Sequence, residues 1–98
     1  MLKLDKYKGF QWDKGNIDKS YQKHGITPNE TEESFLDEKA IILKDVKHSK
    51  REKRYSLIGK TIDGKTLFVV FAFRNRKIRI ISGRKANKKE RGIYDKKT

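Results

Sequence analysis

The stretch Thr66–Arg91, TLFVVFAFRNRKIRIISGRKANKKER, decides the fold. Leu67 to Phe73 is the longest uninterrupted apolar run in the chain, the pattern of a strand covered on both faces and hence of a sheet centre. Asn75 and its basic neighbours make a turn, and Lys77 to Ser82 returns as the next strand. On that strand Lys77, Arg79 and Ile81 share one face while Ile78, Ile80 and Ser82 share the other, so Arg79 projects away from Ile78 and Ile80 unless a bulge intervenes. One hairpin supplies both a hydrophobic centre and a cationic rim.

Towards the N-terminus, Asp63-Gly64 reads as a type I′ turn that pairs this run with a strand starting at Arg54-Tyr55-Ser56-Leu57-Ile58-Gly59. Ala40 to Leu43 reads as the first strand of the sheet, followed by a polar loop holding His48. Thr27-Pro28-Asn29-Glu30 is a helix start: Thr27 as N-cap, Pro28 where a missing N–H costs nothing, and Glu30 reaching back to close a capping box. That helix is expected to end near Phe35 or Leu36, with Glu30, Glu32 and Glu33 stabilising its first turns through the dipole. A further helix is expected over Lys14–His24, capped by Asp13 and stopped by Gly25. Ahead of it, Phe10-Gln11-Trp12-Asp13 alternates as a short edge strand or extended lead-in. Towards the C-terminus, Asn87 and Glu90 form a second capping box for a terminal helix anchored by Ala86, Ile93 and Tyr94. The expected architecture is α+β: a four-stranded antiparallel meander with two N-terminal helices and a C-terminal helix, the helices on one face.

With 98 residues the chain holds one modest core, and ten aromatic side chains offset a hydrophobic fraction of only 34%. Without cysteine, disulfide and thiolate–metal chemistry are excluded. No apolar stretch resembles a leader or a membrane span, so the expectation is a soluble cytoplasmic protein that uses no membrane. The net charge of +13 is unevenly placed: residues 1–46 carry 8 basic and 9 acidic side chains, and residues 47–98 carry 18 and 4. A basic C-terminal half points to a polyanion, because neutralised phosphates release condensed counterions. The four acidic residues of that half, Glu52, Asp63, Glu90 and Asp95, lack ligand spacing, so neither a metal site nor a cofactor is expected.

Many residues in register resemble the BrnT toxins of bacterial type II toxin–antitoxin systems, whose fold is similar to that of the RelE ribonucleases. They run from Phe10, Trp12 and Asp13 through Lys23-His24-Gly25-Ile26, Thr27-Pro28, Glu52, Arg54 and Gly59. They continue with Phe68-Val69-Val70-Phe71, Arg79-Ile80-Ile81-Ser82-Gly83-Arg84, and Glu90, Arg91 and Tyr94. Asn16 and Ser20 depart from the commoner Lys and Asn of the family, and residues 1–9 extend ahead of its usual start, leaving a single toxin domain over 1–98.

The resemblance implies endoribonucleolytic cleavage of mRNA, and the lack of ligand spacing makes it metal-independent; the RNA's own 2′-hydroxyl attacks and the protein orients it and stabilises the phosphorane. It also implies a ribbon-helix-helix antitoxin that contacts DNA for the complex, with the ribosome a candidate further partner. Arginines suit the phosphate because the guanidinium fork is planar and permanently charged. Arg79 and Arg84 lead the catalytic candidates, followed by Arg54. For proton transfer His24 and His48 titrate near neutrality, while Glu90, Asp13 and Tyr94 are alternatives with shifted acidity. Arg74, Lys77 and Lys85 are candidate RNA contacts together with Tyr94, and Trp12 offers either a stacking ring or a core side chain. The competing reading is a noncatalytic nucleic-acid-binding or regulatory module using the same basic face.

Overall fold

A computed structural model describes residues 9–12, 25–45 and 52–97. Among them the elements are β1 (Phe10–Trp12), α1 (Pro28–Phe35), β2 (Ile41–Asp45), β3 (Arg54–Lys60), β4 (Thr66–Arg74), β5 (Lys77–Lys85) and α2 (Lys88–Lys97). The helix expected over Lys14–His24, with Asp13, His24 and His48, falls outside the described residues. The apolar run sits in β4, the central strand of a sheet ordered β1-β5-β4-β3-β2.

That sheet has five strands and is mixed, a correction to the four-stranded antiparallel meander. β1 runs parallel to β5, Phe10 beside Ile78 and Trp12 beside Ile80, and the Ile78 N–H donates to the Gly9 carbonyl at 2.9 Å. Three alternating residues are too short a pattern to separate a strand from a lead-in. A parallel partner, moreover, is reached only through a long crossover that leaves no local signal.

The two hairpin turns are also redistributed. Asn75 and Arg76 both have positive φ, 52° and 64°, between the paired Arg74 and Lys77, which is the type I′ geometry. At Asp63-Gly64 only Gly64 is left-handed, with φ 89°. Its N–H bonds the Thr61 carbonyl at 3.0 Å, Thr61 N–H bonds the Lys65 carbonyl, and Thr61 Oγ1 accepts the Lys65 N–H at 3.1 Å. Here the hydroxyl and two backbone bonds of Thr61 favour a wider loop with one glycine turning point.

α1 covers one face. Leu57, Leu67, Val69, Phe71, Ile78 and Ile80 are buried there with Ile26 and Phe35, and the rings of Phe10, Phe35 and Phe71 meet edge to face at 5.2 and 5.1 Å. Each such side chain contributes roughly 1.5–3 kcal/mol. The expected capping box is present: Thr27 Oγ1 accepts the Glu30 N–H at 3.1 Å and Glu30 Oε1 accepts the Thr27 N–H at 3.0 Å. The acidic residues of α1 also dock the helix. Glu30 pairs with Lys65 at 2.6 Å, Glu32 accepts the Trp12 indole N–H at 2.9 Å, and Glu33 accepts the Ile62 N–H at 3.1 Å.

The helices do not share a face. α2, capped as expected by Asn87 and Glu90 (2.8 and 2.9 Å), packs Tyr94 and Ile93 against Ile41, Ile58 and Phe68 on the side away from α1. The cause lies in β3 and β4, whose alternating residues are apolar on both sides near Ile58 and Phe68. Tyr94 donates to Asp37 Oδ2 at 2.7 Å, fastening α2 to the segment that follows α1.

Candidate nucleic-acid interface

The face opposite α1 is built by register. Beside one another across the sheet stand Asp45, Arg54, Ala72, Arg79 and Gln11. The next row along is Leu43, Ser56, Val70 and Ser82, and the next again Ile41, Ile58, Phe68 and Arg84. Beyond the first row, at the hairpin end, Arg74 pairs with Lys77. Only the last row is covered by α2.

Arg84 joins this face through an irregularity. Phe71 pairs with Ile80 but Val70 with Ser82, so Ile81 is an extra residue on β5 and the alternation changes phase across it. Gly83 therefore takes the core side beside Thr31 of α1, and Arg84 turns outward. Arg84 lies on β5 rather than at a helix start, because β4 is long enough to pair with it.

Arg54 and Arg79 flank Ala72, a fully buried residue with no side chain beyond Cβ. Two interstrand spacings put their Cα atoms about 10 Å apart, on either side of an alanine that is itself fully covered. Arg79 Nη1 bonds Glu52 Oε1 at 2.5 Å, with the two side chains 19% and 29% exposed. With Arg74 and Lys77 exposed at the adjoining turn, four cations gather at one end of the face, beside a carboxylate.

Arg84, roughly 13 Å further along, is held differently. Its two Nη atoms bond the two Glu90 oxygens at 2.8 Å each, and its guanidinium lies 4.5 Å from the Phe68 ring centre. Burial by itself would raise the Glu90 pKa, but the bonds from Arg84 and the Asn87 N–H, with the Arg84 charge, hold it below the ordinary carboxylate value. Arg84 is correspondingly raised, chiefly by the Glu90 bond. For Tyr94, burial first and then the bond to Asp37 push the phenol up to about 12.

The structure thus brings together Arg54, Arg74, Lys77 and Arg79, and separates the others from them. Arg84 and Glu90 form a closed pair at the far end. Tyr94 is buried under α2, Trp12 packs on the α1 side with its N–H on Glu32, and Lys85 pairs with Leu67 on the α1 side of the register. His24 is outside the described residues. Glu52 as the partner of Arg79 was not among the sequence's site candidates, and only a salt-bridge signal on a distant segment could have revealed it. Among the described residues no three His, Cys, Asp or Glu side chains cluster as metal ligands, and no helix is long and apolar enough to cross a membrane.

A small α+β domain whose open sheet face ends in four cations has the charge pattern of the polyanion-binding class. Residues 12–90 match the family described as ribonuclease toxin, BrnT, of type II toxin–antitoxin systems, and the chain belongs to that family. It is a ribonuclease toxin, with RNA as substrate and an antitoxin as partner. The fold is similar to the crystal structure of the Brucella abortus ribonuclease toxin, BrnT, at 23% identity and a TM-score of 0.64, covering 82% of this chain and 97% of that one. No curated protein matches the chain at a significant level.

Proposed function

We propose that the chain is a cytoplasmic endoribonuclease that cuts mRNA without a metal, at the row formed by Arg54, Ala72 and Arg79. The juxtaposition of two guanidinium groups across Ala72 with the Glu52 carboxylate on Arg79 carries this reading. A scissile phosphate seated over Ala72 accepts bonds from both forks, and their fixed charge stabilises the dianionic phosphorane. Glu52, freed from Arg79 as the phosphate takes its place, receives the proton of the attacking 2′-hydroxyl. The new bond joins the 2′-oxygen to phosphorus, the bond to the 5′-oxygen breaks, and that oxygen takes a proton from water on the open face. The products are a 2′,3′-cyclic phosphate and a 5′-hydroxyl end.

Arg74 and Lys77 neutralise neighbouring phosphates, and Arg84 positions α2 at the far end of the face. The antitoxin expected by family likeness is a ribbon-helix-helix protein that brings the complex to DNA, and the ribosome is a candidate site of action. The test is cleavage of a defined RNA in chelator, followed by analysis of the ends. Cyclic phosphate ends in wild type, lost in Arg79→Ala and Glu52→Gln, are expected. Cleavage that requires added metal, or leaves 3′-hydroxyl ends, overturns the mechanism, and growth without arrest on expression favours a noncatalytic binding module.

A further inference from the structure

The second row of the open face has a shape that the phosphate chemistry does not use. A groove of about 480 Å³ lies over it, lined by Val70, Leu43 and Ile81, with the hydroxyls of Ser56 and Ser82 on either side of Val70 and Phe68 at the end towards α2. That volume lies within the range of small-ligand clefts, ~300–1,000 Å³. Arg54, with Asp45 beside it in register, closes the end nearest the cationic row.

We infer that this groove is a nucleobase subsite, which takes the unstacked base of the nucleotide whose phosphate lies over Ala72. The inference rests on the phosphate reading above and deepens it. Its first support is spacing: the Ser56–Val70–Ser82 row is two residues along the strands from Arg54–Ala72–Arg79, about 7 Å. A step of that size separates a nucleotide's phosphate from its own base. The second support is chemistry. Single-stranded RNA is read through splayed bases that lay an apolar face on the protein and offer donors and acceptors at the edge. An aliphatic lining, Leu43, Val70 and Ile81, serves the face. Two hydroxyls, each able to donate or accept, serve the edge. The third is the bulge, which sets Ile81 and Ser82 along the groove while keeping Arg79 in the adjoining row. A protein segment as occupant is disfavoured by the position of the groove, bounded by the cationic row at one end and by Phe68 with its stacked Arg84 at the other. Ser56 and Ser82 are accordingly the residues that set nucleotide preference, and Val70 sets the depth.

Amide chemical-shift titrations of the full chain with inorganic phosphate and with each of the four ribonucleoside 3′-monophosphates test this. Both kinds of ligand shift Arg54, Ala72 and Arg79. Only the nucleotides shift Ser56, Val70 and Ser82, and the preferred one binds at least about fivefold more tightly than phosphate, the lower end of a base-stacking contribution. Ser82→Phe, which fills the groove from an exposed position, brings nucleotide affinity down to that of phosphate. Phosphate that shifts the arginine row while nucleotides add neither affinity nor shifts in the groove overturns the base subsite alone. Phosphate that leaves Arg54 and Arg79 unmoved overturns the phosphate site and the base subsite together.

Discussion

Arg79 and Arg84 face the same side of β5 although they lie five positions apart, an odd offset, because Ile81 has no partner on β4. Their surroundings then assign different work. Arg79 bonds Glu52 within a cationic cluster, whereas Arg84 gives both Nη atoms to Glu90 and its face to Phe68. Replacing each by alanine separates the two roles. Arg79→Ala lowers cleavage by about 10²–10³, the usual loss for one preorganised transition-state donor, with little change in the urea midpoint. Arg84→Ala lowers stability by about 1–3 kcal/mol, since it leaves a Glu90 carboxylate only 12% exposed without its principal partner.

Glu52→Gln removes a proton acceptor and a negative charge together. Cleavage falls by about 10²–10⁴ while RNA affinity holds or rises, because the cationic row loses its counter-charge. Single-turnover rates and binding to a 2′-deoxy substrate measure the two effects separately. Loss of affinity in step with rate assigns Glu52 to folding or binding instead.

RNA binding weakens with salt in proportion to the phosphates held. If Arg54, Arg74, Lys77 and Arg79 each neutralise one, log Kd against log salt has a slope of about 3 on single strands, and Arg74→Ala reduces it by about 0.7. Lys85→Ala, on the α1 side of the register, leaves the slope unchanged.

Gly59 has Ser34 of α1 directly against it, where the carbonyl oxygen of Ser34 occupies the space a Cβ would need. Gly59→Ala pushes α1 off β3 and costs about 1–3 kcal/mol, a fall in Tm of roughly 4–8 °C per kcal/mol in a domain of this size. Gly92→Ala, with nothing near its added methyl and a helical position, holds or raises Tm and serves as the control.

Stability has a limb at each end of the pH scale. The Tyr94 phenol is raised from 10.0 to about 12 in the fold, so its contribution is complete below pH 10 and is lost as pH climbs towards 12. Glu30, Asp37 and Glu90 are lowered from 4.5, 3.8 and 4.5, so theirs is present above those values and is lost as pH falls through the depressed ones. Urea midpoints across pH check both limbs. Tyr94→Phe removes the Tyr94 share of the alkaline limb, on the order of 2 kcal/mol, and with it the bond that lowers Asp37, and leaves the Glu30 and Glu90 shares of the acid limb in place.

The strongest local signals were all legible. The Leu67–Phe73 run declared the central strand, and two capping boxes declared α1 and α2, because a capping residue acts on a backbone three positions away. The family itself was readable from residues spaced in register along most of the chain. At the turns the sequence was half informative: Gly64 and Asn75 marked where the chain reverses, but whether Asp63-Gly64 or Asn75-Arg76 took the tight form depended on how the flanking strands paired.

The sequence by itself determined the central β4 strand, the caps, the charge asymmetry and the arginines as candidates, since each depends on neighbours along the chain. Only the tertiary structure decided that β1 joins β5 in parallel, that Ile81 is bulged so that Arg79 and Arg84 share a face, and that Glu52 meets Arg79 while Glu90 closes on Arg84. Those relations are set by pairing and packing between distant segments, where a one-residue change of phase reverses every side chain that follows and nothing in the local pattern records it.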